Sequence, residues 1–357
     1  LLAESLDASF TRCAFASLSG LTTTGAHGLL PAGCVAENRF CLLTPRLSCA
    51  RAGRHGHHRV SRGCHPAHAG HWVAMQLYRA ESPGAVKDKQ DRTGALAETA
   101  KALWYLYLGI RPRCAVAYYL AGMNAFVDAM CHSFSTVAIG GFSTHDASMG
   151  YFDSAAIEGV AVIFMIFAGI NFGLHFGVFA RRSPGYYLRD PEFQLYIFGV
   201  VGVATIVCSI LYFTGGSDHP LRHGIFQAVS MATTTGFTTT DFSLWPSVAP
   251  VLLLFAAFAG GCAGSTAGGI KMIRVLLIYR QGLREIKRLI HPAGVFPLKL
   301  AGHLVPDRVI DAVWSFFSVY VILFLTLVCL FMGFSGTDFE TSFSAVGASL
   351  NNLGPGL

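Results

Sequence analysis

One short pattern recurs four times and constrains this chain more than any other feature. Ser230-Met-Ala-Thr-Thr-Thr-Gly-Phe-Thr-Thr-Thr-Asp241 is polar and glycine-centred, with long apolar runs on both sides. Ser19-Gly-Leu-Thr-Thr-Thr-Gly-Ala26 repeats its core, Ser135-Thr-Val-Ala-Ile-Gly-Gly-Phe-Ser-Thr144 matches it around Gly141, and Ser349-Leu-Asn-Asn-Leu-Gly-Pro-Gly356 is a looser copy around Gly354. In the first and third copies a phenylalanine stands ten residues before the glycine and a serine six before it. Four copies predict four structural units.

What lies between the copies sets the solvent. With 53% hydrophobic and 13% charged residues, the chain reads as an all-α integral membrane protein. Runs of about 20 apolar residues cross a bilayer as helices. Candidates are Ile157–Ala180, Phe193–Thr214, Val248–Ala259 continuing into Ile270–Tyr279, and Val309–Phe334. Trp104–Met123 is a weaker candidate because Arg111 and Arg113 sit inside it; a sequence lesion, a shifted boundary and a water-facing wall all remain open there. Lysine and arginine cluster at Arg79–Lys101, Arg181–Arg189 and Lys271–Arg308, which predicts that these segments are cytoplasmic and near anionic lipid, and that the motif loops face outside. The short lead-ins to the motifs cannot span a bilayer, so each is expected to be a re-entrant helix.

The resulting expectation is four pseudo-repeats of transmembrane helix, re-entrant pore helix with filter loop, and transmembrane helix. They divide as 1–74, 75–189, 190–306 and 307–357. The first lacks a preceding span and the fourth a following one, so the chain reads as truncated at both ends. Asn171 and His175, four residues apart, read either as a polar pore lining or as an interhelical hydrogen bond.

Residues 27–72 fit nothing else in the chain. They hold seven of the fourteen histidines and four of the ten cysteines, but Cys34, Cys41, Cys49 and Cys64 form no Cys-x-x-Cys pair, so no zinc site is expected. A frameshifted stretch is the better reading. One codon choice for Arg54-His-Gly-His-His-Arg59, shifted by one base, encodes the apolar string Gly-Met-Gly-Ile-Ile-Val.

Two glycine-rich features carry the chemistry. A monovalent cation entering a narrow pore loses water, and rings of backbone carbonyls replace it without placing a full charge in the path. Glycine permits the necessary backbone angles, threonine hydroxyls can add oxygens, and short helices ending at the motifs would direct negative dipole ends toward the ion. The expected filter is Thr22, Thr23, Thr24 and Gly25; Ala138, Ile139, Gly140 and Gly141; Thr233, Thr234, Thr235 and Gly236; and Asn351, Asn352, Leu353 and Gly354. The second feature, Ala259–Gly269, interrupts a span. It lacks the Gly-Lys-[Ser/Thr] of a phosphate loop; unwound backbone beside a water path, acting as a gate, is preferred over close packing by small residues. Gly260, Gly261, Gly264, Ser265, Thr266, Gly268, Gly269 and Lys271 form this candidate gating loop.

Ser133–Ser148, Thr233–Pro246, Gly260–Arg274, Leu350–Gly356 and Met75–Lys89 together resemble the TrkH/TrkG family of Trk-type potassium-uptake subunits, within the superfamily of K⁺ transporters. The resemblance implies four pairs of spans around one pore, with Gly25, Gly141, Gly236 and Gly354 as filter glycines of the K⁺-selective branch and Gly260–Gly269 as an intramembrane gate. It further implies K⁺ as the transported ion, a homodimer, and a multi-pass location in the bacterial inner (plasma) membrane. TrkA-like cytoplasmic regulatory subunits would be the only point of nucleotide contact, with no nucleic acid. A proton- or sodium-coupled potassium symporter is the alternative. A membrane-embedded enzyme is disfavoured, because no paired catalytic carboxylates or nucleophile triad appear outside 27–72.

Overall fold

The long helices start and stop where short-range chemistry dictates. In a computed structural model describing residues 15, 18, 19, 22–25, 93–123, 125–246, 248–300 and 302–356, α1 is Thr93–Leu120 and α2 is Phe126–Ala138. There follow α3 (Ala155–Gly169), α4 (Phe172–Arg181), α5 (Gly185–Leu188), α6 (Pro191–Thr214) and α7 (Pro220–Ala232). The remainder is α8 (Val248–Ala259), α9 (Met272–Ile290), α10 (Asp307–Ser335) and α11 (Phe339–Asn351). A two-residue hairpin, Lys299–Leu300 with His303–Leu304, is the one pair of strands among the described residues. The segment 27–72, with its zinc and reading-frame questions, lies outside the described residues.

Helix α6 shows the local logic. Asp190 accepts from the Glu192 and Phe193 amides at 2.9 Å each, Pro191 supplies a preset φ in the first turn, and Gly215 ends the helix at φ 66°. Helices α6 and α10 are each long and apolar enough to cross a membrane. Their apolar side chains point outward: Phe198 is 74% exposed, Phe213 84% and Phe334 89%. The interior is instead rich in hydroxyls, with Thr233, Thr234 and Thr235 fully buried. A lipid-facing apolar exterior around a polar centre is the arrangement a bilayer selects.

Three expectations change. Ile157–Ala180 is not one continuous helix: α3 and α4 meet at 94° around an extended Ile170, and Asn171 caps α4 by accepting from the Gly173 amide at 2.8 Å. His175 is buried at this bend rather than lining a pore. Its Nε2–H donates to the Phe167 carbonyl at 2.9 Å, satisfying an end of α3, and Nδ1 accepts from the Tyr187 hydroxyl at 2.6 Å. The hydrogen-bond alternative therefore holds, though within one bent pair.

The second change is α1, which extends N-terminal of Trp104 and encloses Pro112. Buried Arg111 stacks over the Tyr107 ring at 4.0 Å and faces the Phe134 ring at 5.1 Å. Delocalised charge over two aromatic faces explains how a guanidinium is tolerated between helices. The third is α9. It continues to Ile290, past the expected span end at Tyr279, because its apolar stripe keeps helical spacing beyond that residue.

Candidate functional site

Three of the four glycine loops follow described helices of equal length, 13 residues each: α2, α7 and α11. The first loop is described at Thr22–Gly25, with Phe15, Leu18, Ser19 and Thr22 helical before it. Every loop closes its helix in the same way. The amide one residue before the glycine donates to the carbonyl six before it: Thr24 to Ser19 at 3.0 Å, Gly140 to Ser135 at 2.8 Å, Thr235 to Ser230 at 2.8 Å and Leu353 to Ala348 at 2.8 Å. This is the Schellman closure, which requires a left-handed residue two before the glycine. That residue is Thr23 (φ 58°), Ile139 (φ 53°), Thr234 (φ 60°) or Asn352 (φ 55°). Only asparagine of these is suited to the conformation, and strain of roughly 1–3 kcal/mol per such residue is typical of functional backbone.

The glycines themselves have φ of 81° (Gly25), 67° (Gly141), 81° (Gly236) and 94° (Gly354). Their missing side chains reveal how the loops meet. A Cβ on Gly25 would stand 2.7 Å from the Gly140 carbonyl oxygen, and one on Gly354 would stand 2.6 Å from that of Thr24. On Gly141 it would collide with the Thr235 carbonyl, and on Gly236 with the Leu353 carbonyl. Each glycine thus abuts the carbonyl preceding the next loop's glycine, in the cyclic order first, second, third, fourth, first. The contacts close a ring, and no L-side chain fits at any of its four joints.

Hydroxyls brace this ring. Thr22 and Thr233 donate back to the Leu18 and Val229 carbonyls at 2.9 and 2.8 Å, and pair with the Thr24 and Thr235 hydroxyls at 2.7 Å in each loop. The Thr24 hydroxyl also stands 2.9 Å from Asn352 Oδ1 across the joint between first and fourth loops, so its one proton is shared between this contact and Thr22. Behind the loops, Ser230 donates to the Phe237 carbonyl at 2.7 Å and Gln227 to that of Thr240 at 3.0 Å. In the second loop His132, at the position matching Gln227, donates from Nδ1 to the Asp128 carbonyl at 2.8 Å and accepts from Ser143 at 2.9 Å. Ala138 and Asn351 are the last residues of their helices and stand behind the ring. Asn351 Oδ1 accepts from the Tyr320 hydroxyl at 2.8 Å.

The broken segment between α8 and α9 is seated against the same ring. The Gly268 amide donates to Thr234 Oγ1 at 2.6 Å, and that of Gly269 to the Asn351 carbonyl at 3.3 Å. Thr266 donates to the carbonyls of Val137 (3.1 Å) and Ala168 (3.2 Å). The loop therefore takes up carbonyls near the ends of α2, α3 and α11, and packs Gly261 and Gly264 against the Gly169–Asn171 break. Gly260 (φ 66°), Gly264 (φ 74°) and Gly269 (φ 74°) turn the chain; Ser265 donates to the Cys262 carbonyl at 2.6 Å, and buried Lys271 donates to that of Ala267. All eight residues expected in this loop lie in it.

Two elements here were not legible in the sequence: the left-handed residue two before each glycine, and Glu192, whose buried carboxylate reaches the loop from α6. The first had a faint signal, since the position recurs in all four copies. The second had none.

Outward-facing apolar helices around a closed ring of polar loops define a helical membrane protein built about a central backbone ring. The chain belongs to the TrkH family of cation transport proteins, whose model matches residues 73–210 and 217–357. It is 55% identical over 292 residues to the Trk system potassium uptake protein TrkH of Vibrio parahaemolyticus, covering 79% of this chain and 59% of that relative. It is 46% identical to the TrkH of Salmonella typhimurium over 361 residues, covering 100% of this chain and 73% of that one. Among solved structures, the potassium transporter TrkH from Vibrio parahaemolyticus superposes with a TM-score of 0.85 at 44% identity, covering 100% of this chain and 72% of that one.

Proposed function

We propose that the chain forms a K⁺-selective pore, with the four-glycine ring as its filter and Gly260–Lys271 as its gate. The cyclic abutment of Gly25, Gly141, Gly236 and Gly354 on the preceding carbonyls of their neighbours carries this reading. It presents four equivalent backbone segments to one axis, as dehydration of a monovalent cation demands. The second and fourth loops carry no threonine at 138–141 and 351–354, so backbone carbonyls are the oxygens that all four loops can offer the ion. The four loops would belong to the four pseudo-repeats at 1–74, 75–189, 190–306 and 307–357. Helices α2, α7 and α11 would direct their negative ends toward the ion. The names of its relatives, potassium uptake proteins of Trk systems, support K⁺ as cargo and a multi-component system. TrkA-like subunits on the cytoplasmic face, a homodimer and a multi-pass place in the bacterial inner membrane complete the proposal.

Ions would move down their electrochemical gradient. Tracer Rb⁺ flux in proteoliposomes tests this: flux should follow the K⁺ gradient and persist when proton and sodium gradients are collapsed. Flux that vanishes with either gradient would assign the chain to coupled symport.

A further inference from the structure

Helix α9 begins without a cap of its own. Lys271, which precedes it, has φ 81° and its side chain caps no amide of α9. The amides of a helix's first turn have no partner within the helix, so a buried start needs an acceptor from elsewhere. The Gly261 carbonyl takes the Met272 amide at 3.0 Å, and the broken segment that supplies it is itself held from α6. Glu192 is 7% exposed and accepts from the Ala263 amide at 2.6 Å through Oε1. Its carboxylate also feels the Lys271 ammonium. One side chain on an unbroken helix thus grips the broken segment at Ala263.

Nothing else in the broken segment is fixed this way. Its other bonds run to the ring, to the α3–α4 bend (Cys262 N–H to Gly169 O at 2.9 Å and Phe172 N–H to Gly264 O at 3.2 Å) and to the adjoining ends of α8 and α9 (Ile270 N–H to Phe258 O at 2.9 Å and Met272 N–H to Gly261 O at 3.0 Å). Those partners are themselves loop ends or helix ends. Glu192 sits in the first turn of a capped 24-residue helix. Bonds from a carboxylate to amides are charge-assisted and among the stronger ones a protein makes. A contact made in one position of a gate and lost in the other shifts the balance by its own free energy.

We propose that Glu192 is the positioning residue that latches the segment Gly260–Lys271 in its seat against the ring, so that opening requires release of the Ala263 amide. The proposal rests on the reading of that segment as a gate. Withdrawal of the segment would leave its seat at Thr234 and Asn351, and the latch opposes that motion from the α6 side.

The test measures basal Rb⁺ flux and the K⁺/Na⁺ permeability ratio in proteoliposomes for Glu192→Ala, Glu192→Gln and a deletion of 264–268. Glu192→Ala should raise flux about tenfold, the effect of losing a charge-assisted hydrogen bond, and Glu192→Gln, which keeps one acceptor, about threefold. The permeability ratio should stay unchanged in both, since neither touches the ring. Amide hydrogen exchange at Ala263 should accelerate in Glu192→Gln relative to wild type. Should Glu192→Ala fail to assemble, the flux and exchange of the near-isosteric Glu192→Gln decide. If the deletion raises flux while both Glu192 variants leave it unchanged or lower it, the latch is wrong and the gate stands. If the deletion leaves flux unchanged, the gate reading falls and the latch with it.

Discussion

The ring and the broken segment are both glycine-rich, both buried and in contact, yet they are built on opposite plans. The ring is made of one motif used four times. Its loops share the same helix closure, the same left-handed residue and the same joint, although their residue types range from Thr-Thr-Thr-Gly to Asn-Asn-Leu-Gly. The broken segment occurs once, and its bonds go to different partners on every side: Thr234, Asn351, Val137, Ala168 and Glu192. Symmetry suits a task in which four carbonyl sets must be equivalent to a spherical ion. Asymmetry suits a part that moves, because a few dissimilar contacts can be released without disturbing the ring.

That contrast can be broken by substitution. The largest effect is expected at a ring joint: Gly141→Ala places a methyl group against the Thr235 carbonyl, and K⁺ flux should fall at least about 100-fold, because the whole ring must shift to admit a Cβ. Retained flux would show that the joint is not part of the path. A smaller change is expected in the broken segment. Thr266→Val removes the donor to Val137 and Ala168 while keeping shape, so basal flux should rise about fivefold, consistent with one lost buried hydrogen bond. Its permeability ratio should match wild type; a fall in selectivity would mean that the segment helps to shape the filter.

The smallest functional effect should come from outside both regions. Arg222 on α7 holds Glu158 on α3 through Nε at 2.8 Å, where the Glu158 side chain is 5% and that of Arg222 22% exposed. Arg222→Met should cost about 2 kcal/mol of stability, between the values for exposed and buried pairs, read as a lower thermal midpoint in detergent. Flux and selectivity per folded molecule should remain. If selectivity changed first, the outer brace would have to be counted as part of the ring.

Much of the ring was legible because recurrence survives in the sequence. The bounds of α8, Val248–Ala259, were readable to the residue, since a proline-bearing turn opens it and a glycine run closes it. The 94° break at Ile170–Asn171 was hidden because apolar residues continue through it; an asparagine cap in a hydrophobic run looks like a polar residue within a helix. Arg111 was opaque for a different reason: its partners Tyr107 and Phe134 lie on two helices, and a stacked guanidinium cannot be inferred without both. Glu192 likewise serves an amide about 70 residues downstream, beyond any local pattern.

The central claim is that the four joints make a K⁺-selective filter, and Gly236→Ser tests it most directly. A serine Cβ there would press on the Leu353 carbonyl and stand 2.8 Å from Pro355 Cδ, distorting one quarter of the ring while adding a hydroxyl. The K⁺/Na⁺ permeability ratio, measured from reversal potentials, should drop by about tenfold or more, equivalent to roughly 1.4 kcal/mol of lost discrimination. A ratio equal to that of the wild type, with K⁺ flux still present, would contradict the assignment of the ring as the filter.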